Sequence, residues 1–335
     1  METKRLLVSS LSLTDPFLSR TGELVAKHIE PVPTLWLKPP GDTALHLGAQ
    51  SQFWQPWYPE HQRLLKTGWK SGLGELWAQI VLFGGRQKEE NRNLLELARQ
   101  HLEPQGKILF AVPNEYGSKS YQKQLEEDFS ALNYFSGRKS RLYIFQNDHE
   151  TRKSLDFTIQ NQSGFSSQAG LFSWDRIDRG SALLVKALKM EKIRGPICDL
   201  GAGWGFLSSS LTSNSSPLHL LEADSRGLDM AKVNLGSKVA SYHWADATDI
   251  PSLPSELVGS MGTVVTNPPF HTGKKAEPIL GGAFVASAHK LLKKRGGALY
   301  LVGNSHLPYR RILQAFFSEV KELQRQDGYQ VWKAE

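Results

Sequence analysis

Apolar residues along this chain fall into short unbroken runs, separated by segments in which they recur every third or fourth position. The runs Ile80–Phe83, Pro196–Leu200 and Leu218–Leu221, with the one opening at Gly262, have the length and bounding turn residues of buried strands. Ala240–Trp244 is a further strand candidate. The segments between them carry the period of helices that lay one face on a sheet. Helices alternating with apolar strands in both halves predict an α/β protein with two tandem doubly wound, Rossmann-like domains.

The halves share a frame. Asn93–Asn114 (NLLELARQHLEPQGKILFAVPN) and Ala283–Asn304 (AFVASAHKLLKKRGGALYLVGN) align at a constant offset of 190 positions. Ala98 meets Ala288, Leu102 meets Leu292, Gly106 meets Gly296, and Leu109, Val112 and Asn114 meet Leu299, Val302 and Asn304. Each segment reads as an amphipathic helix, a glycine stop and a buried strand. Such units are common, but the shared offset favours duplication. Between the halves, the polar stretch Asn147–Ser167 holds the linker, giving domains over residues 1–150 and 151–335, with Leu155–Ile159 a candidate first strand of the second. Phe53–Tyr58 (FWQPWY) could offer rings to bases, although packing inside the fold is the commoner use of such a cluster.

Composition narrows the class. Forty per cent apolar and 22% charged residues are those of a soluble globular chain, and no apolar run reaches the roughly 20 residues needed to span a bilayer. The N-terminus shows no signal-peptide pattern. The single cysteine, Cys198, excludes an intramolecular disulfide and argues against a cysteine-based metal site. No metal and a cytoplasmic location are the expectations. The net charge of +7 suits a polyanionic partner without requiring one. Most of it lies in the second half, where residues 161–335 hold 20 basic and 15 acidic side chains.

Candidate chemistry is concentrated there too. Pro196–Leu207 reads PICDLGAGWGFL, a strand ending near Asp199, followed by Gly201, Gly203 and Gly205 at alternate positions. Glycines let the chain turn sharply and let a ligand rest directly on backbone. A helix starting at Phe206 or Leu207 would offer free N–H groups. The spacing D-x-G-x-G-x-G is not that of a nicotinamide fingerprint. About 20 residues on, Glu222 ends the next strand, where an acid can accept from both ribose hydroxyls of an adenosine cofactor. Asp246 ends the third and could accept from an adenine amino group. A turn or helix cap is the competing use of that residue.

Gly262–His271 (GTVVTNPPFH) is a strand followed by Asn267, Pro268, Pro269 and Phe270. Two prolines make a stiff exit from the sheet. An exocyclic amine is a poor nucleophile because its lone pair is delocalised. The Asn267 side-chain carbonyl and the Pro268 backbone carbonyl could hold its two hydrogens and aim the lone pair at a sulfonium methyl. Phe270 would supply a stacking face.

From Gly170 onward, about half the chain, the sequence resembles the ribosomal RNA guanine-N2 methyltransferases of the RsmC/RlmG type. The resemblance is carried by Leu171–Val185 (LFSWDRIDRGSALLV), CDLGAGWG, LLEAD, TNPPFHTG and Gly303–Tyr309 (GNSHLPY). It implies S-adenosyl-L-methionine as cofactor and ribosomal RNA or an assembled subunit as partner, with small-subunit RNA preferred; a monomer is expected because one chain with two paired domains needs no partner to complete its site. Gly201, Gly203 and Gly205 would hold the methionine part and Asp199 would shape their loop. Glu222 would hold the ribose and Asp246 the adenine, while Asn267, Pro268 and Phe270 would serve the base. Asp178 and Ser181 would line the cofactor pocket, and Asn304 would lie near the substrate. The resemblance also implies a degenerate first domain that supports RNA binding. Consistent with this, Gly84-Gly85-Arg86 follows Ile80–Phe83 where the repeat calls for asparagine and prolines, and the basic cluster Arg138, Lys139 and Arg141 could meet phosphate. Departures are Trp204, bulky in the glycine loop, Trp174 in place of a basic residue, and Glu222 in place of aspartate. Two alternatives stay open: a methyltransferase of protein glutamine or adenine N6, which shares the asparagine-proline geometry, and a catalytically silent RNA-binding assembly factor.

Overall fold

The computed structural model describes residues 16–40, 51–74, 76–129, 132–146, 156–269, 271–272, 275–276 and 278–335. The chain divides into two compact units, one over Leu13–Phe157 and one built on Thr158–Glu335. Among the described residues no helix is long and apolar enough to cross a membrane.

In the first unit the strands are β1 (Thr34–Leu37), β2 (Gln52–Trp54), β3 (Lys70–Ser71), β4 (Trp77–Phe83), β5 (Leu102–Pro113), β6 (Asn133–Gly137) and β7 (Ser140–Gln146). Its helices are α1 (Pro16–Val25), α2 (Tyr58–Lys66), α3 (Lys88–Gln100) and α4 (Gln122–Asp128). The second unit opens with a two-residue hairpin, β8 (Ile159–Gln160) and β9 (Ser166–Ser167), outside the main sheet. The main strands are β10 (Ile197–Leu200), β11 (Leu218–Glu222), β12 (Ser241–Trp244) and β13 (Thr263–Thr266). After the short pair β14 (His271–Thr272) and β15 (Lys275–Ala276) come β16 (Ala298–Asn304), β17 (Val320–Gln326) and β18 (Tyr329–Ala334). Helices α5 (Arg179–Leu188), α6 (Phe206–Ser209), α7 (Ser225–Leu235), α8 (Pro278–Leu291) and α9 (Tyr309–Gln314) complete it.

The sheets run β3-β2-β1-β4-β5-β7-β6 and β12-β11-β10-β13-β16-β18-β17. Counted from the first strand of each unit, these are the same order. Parallel pairing across the first five strands and a closing antiparallel pair recur in both. The 190-residue repeat is thus a repeat of topology.

Strand alternation explains why both faces are covered. In the second unit Cys198, Leu200, Val264, Leu299 and Leu301 meet α8 on one face, while Ile197, Val265, Tyr300 and Val302 meet α5 and α7 on the other. Each fully buried aliphatic side chain contributes roughly 2–3 kcal/mol. Phe53 is buried in the core of the first unit beside Trp36 and Trp69, so this part of the aromatic cluster serves packing. Of the three basic hairpin residues, Arg138 pairs with Glu23 at 2.8 Å, and Arg141 lies over the Tyr134 ring and donates to Gln122.

Candidate active site

Parallel pairing brings the C-terminal ends of β10, β11 and β13 to one edge of the sheet. The Thr266 hydroxyl donates to the Leu200 carbonyl at 2.7 Å, tying the residue before Asn267 to the residue before Gly201. Neighbouring strands lie about 4.8 Å apart. The glycine turn and the asparagine-proline loop therefore leave the sheet side by side.

Gly201, Gly203 and Gly205 all adopt left-handed conformations, with φ of 78°, 55° and 91°. Their surroundings differ. A Cβ on Gly205 would come within 2.9 Å of Leu235 and 3.3 Å of Ala231, so this glycine lets α7 pack closely. A Cβ on Gly203 would meet nothing within 4 Å, so its open face is free for a ligand. Asp199 is fully buried, and its Oδ2 accepts from the backbone N–H and the hydroxyl of Ser208 in α6 at 3.0 and 2.6 Å. It holds the helix start that closes the turn. Among the described residues its Oδ1 has no hydrogen-bond partner, and burial pushes the carboxyl up to about 6 against the pull of Ser208.

Glu222 is more committed than its position in the sequence suggests. Its Oε2 accepts from Gly203 N at 2.7 Å, and its Oε1 accepts from the N–H groups of Ala223 and Asp224, each at 2.8 Å. Burial raises its pKa to about 7, opposed by those donors. An ionised carboxylate accepts about four hydrogen bonds. One further place remains, enough for one hydroxyl but not two without rearrangement. Asp246 Oδ1 accepts from the N–H and hydroxyl of Thr248, both at 2.7 Å, so this oxygen makes the turn that was the competing reading. Asn304 does the same, accepting from His306 N at 3.0 Å.

Asn267 carries the main surprise. Its Nδ2 donates to Asp178 Oδ2 at 2.9 Å and to Ser181 Oγ at 2.8 Å, while its Oδ1 is buried with no partner among the described residues. A carboxylate only accepts, so the amide must turn its NH2 toward Asp178. Asp178 and Ser181, expected along the cofactor pocket, sit against the Asn267 amide. Asp178 also caps α5, accepting from Ser181 N at 2.8 Å. Pro268 is buried, and Phe270 lies outside the described residues.

Trp204 does not crowd the turn. It is buried against Leu171, Met230, Phe165 and Phe206, with Trp174 packed beside them, and its indole N–H donates to the Phe172 carbonyl at 3.2 Å. Asn234, inconspicuous in the sequence, holds this arrangement. Its Nδ2 donates to the carbonyls of Trp204 and Ser166, and its Oδ1 accepts from Ser166 N. Ser208 and Thr266 were also missed, being ordinary hydroxyls until the fold supplies their partners.

A doubly wound sheet whose switch point carries a glycine turn, an acid at the next strand and Asn-Pro-Pro at the fourth defines a Rossmann-like methyltransferase. The chain belongs to the Methyltransferase small domain family, which matches residues 162–333. Similar curated proteins include the ribosomal RNA small subunit methyltransferase C of Shewanella sediminis, 27% identical over 303 residues, 87% of this chain and 86% of that one. The Shewanella amazonensis protein of the same name is 28% identical over 287 residues, 80% of this chain and 82% of its own. Among solved structures, the T. thermophilus 16S rRNA N2 methyltransferase RsmC, in complex with AdoMet and guanosine, superposes with a TM-score of 0.81 at 23% identity. That match covers 98% of this chain and 94% of the other, so the two-unit fold is shared throughout.

Proposed function

We propose that this chain transfers a methyl group from S-adenosyl-L-methionine to the exocyclic N2 amine of a guanine in 16S ribosomal RNA. The T. thermophilus protein acts on guanine 1207 of that RNA, and the corresponding guanine is the proposed target here. The observation that carries the reading is the Asn267 carbonyl oxygen, buried and unpartnered beside the glycine turn.

The residues fit the cofactor. Gly203 leaves open the space a Cβ would fill, Glu222 retains one acceptor place for a ribose hydroxyl, and Asp199 Oδ1 awaits a donor. Once bound, the cofactor supplies an electrophilic methyl on a sulfonium. The chain's part is positioning. Asn267 Oδ1 accepts one amine hydrogen and the Pro268 carbonyl the other, turning the nitrogen lone pair toward the methyl. Those acceptors also stabilise the positive charge that grows on the nitrogen as it is alkylated. The proton held at Asn267 Oδ1 then passes to water.

The first unit supports the second and adds RNA contacts without binding cofactor, and the enzyme works as a cytoplasmic monomer. The test is methylation of 16S rRNA and of 30S subunits with labelled cofactor, followed by nucleoside mass analysis. N2-methylguanosine is expected. Label in N6-methyladenosine or in protein glutamine, or no label at all, would overturn the reading.

A further inference from the structure

We infer that Asp178 and Ser181 are positioning residues for the Asn267 carboxamide, setting which end of it meets the substrate amine and strengthening that end as an acceptor. The inference rests on Asn267 gripping the amine. An asparagine amide has two ends of similar shape and opposite hydrogen-bonding character. Turned the wrong way, Asn267 would present N–H groups to an amine that itself needs acceptors, and its oxygen would face the Asp178 carboxylate. With Nδ2 held at 2.9 Å by Asp178 and 2.8 Å by Ser181, only one orientation is satisfied.

The holders are themselves held. Asp178 Oδ2 receives Ser181 N at 2.8 Å as the cap of α5, and Ser181 is buried in the first turn of that helix. A Cβ on Gly180 between them would approach the Tyr329 ring at 2.8 Å and Asp178 Oδ2 at 3.0 Å, so β18 packs against the same turn. A helix start 86 to 89 residues away in sequence thus fixes one side-chain torsion in the catalytic loop.

The carboxylate also acts electrically. A negative charge against the NH2 end favours the amide resonance form that places charge on oxygen, making Oδ1 the stronger acceptor. As the amine becomes cationic during methyl transfer, that potential stabilises the transition state more than the ground state.

Asp178→Asn in the full chain removes the charge and keeps the cap, because asparagine caps helices as well as aspartate. Expected are a fall in kcat of about tenfold or more, cofactor affinity within about twofold of wild type, and an unchanged melting temperature. Ser181→Ala should lower kcat by a smaller factor. A second readout needs no activity. In the cofactor-free chain labelled with 15N-asparagine, the Asn267 carboxamide signals, identified by their loss in Asn267→Ala, should be protected from exchange and should lose protection in Ser181→Ala. Weakened cofactor binding with kcat unchanged in Asp178→Asn would overturn the inference, placing Asp178 in the cofactor pocket, and so would an unprotected carboxamide in wild type. If the wild-type enzyme methylates no guanine, the functional reading fails on its own, and the carboxamide signals decide the inference.

Discussion

Laid over one another by strand register, the two units carry opposite chemistry on the same scaffold. Trp36 pairs with Val81 as Cys198 pairs with Val264, and Val81 pairs with Leu109 as Val264 pairs with Leu299. In that frame Asp199 corresponds to Leu37 and Asn267 to Gly84. Leu37 faces Trp54 as Asp199 faces Leu220, so Glu222 corresponds to Pro56. Each of these three polar groups is replaced by a residue that cannot do its work. At the same edge of the first unit, Lys38 forms an ion pair with Glu90 of α3, whose carboxylate occupies the place a Cβ on Gly85 would take. Among the described residues, one unit keeps unpartnered acceptors and open backbone, while the other has the Lys38–Glu90 pair across Gly85 at the equivalent edge. Sheet topology is therefore separable from chemistry in this protein.

Four substitutions test the contrast between the units. The largest effect belongs to Asn267→Ala, which should reduce methyl transfer by about 100-fold or more while calorimetry still detects cofactor binding. Substantial residual turnover would remove Asn267 from the mechanism. Next comes Gly203→Ala. The protein leaves room for the new Cβ, so folding should bear only the left-handed strain of ~1–2 kcal/mol, while cofactor affinity falls at least about tenfold as the methyl enters the ligand's space. Affinity equal to wild type would mean that nothing rests on that glycine.

Glu90→Ala should destabilise the first unit by about 3 kcal/mol in urea unfolding, since Lys38 loses its buried partner, and cofactor affinity should hold. A parallel loss of affinity would show that the silent edge is not silent. The smallest effect is a pH dependence. Burial raises the folded pKa of Asp199 to about 6, above its usual value of 3.8. The folded state therefore binds this proton more tightly than the unfolded state, so Asp199 favours folding at low pH. That contribution is lost as pH rises from about 4 through 6. Asp199→Asn should abolish the fall and melt a few degrees higher than wild type at pH 7. A difference in melting temperature between the two proteins that stays flat from about pH 4 to pH 7 would assign the dependence to other groups.

Much of this was legible before any fold was known. The three glycines, the acid closing the second strand, the Asn-Pro-Pro exit and the repeat each depend on local spacing, which sequence records directly. What the sequence hid depends on contacts between distant segments. Asp178 and Ser181 read as pocket lining because they lie in a stretch shared with related enzymes, and only the fold reveals that their hydrogen bonds reach across to Asn267. Trp204 read as an obstacle because side-chain direction in a tight turn is invisible in sequence, and the structure sends it into an apolar cluster held by Asn234. Glu222 read as fully available for ribose because nearby backbone donors carry no sequence signature.

The proposed reaction requires the Asn267 oxygen and the glycine turn to act together. A structure of this chain with a non-reactive analogue of the cofactor and guanosine tests that most directly. It should show the methionine part of the cofactor against Gly203, and the guanine N2 within about 3 Å of Asn267 Oδ1, with Nδ2 still on Asp178 and Ser181. Guanosine held elsewhere, or an Asn267 amide turned so that nitrogen faces the base, would contradict it.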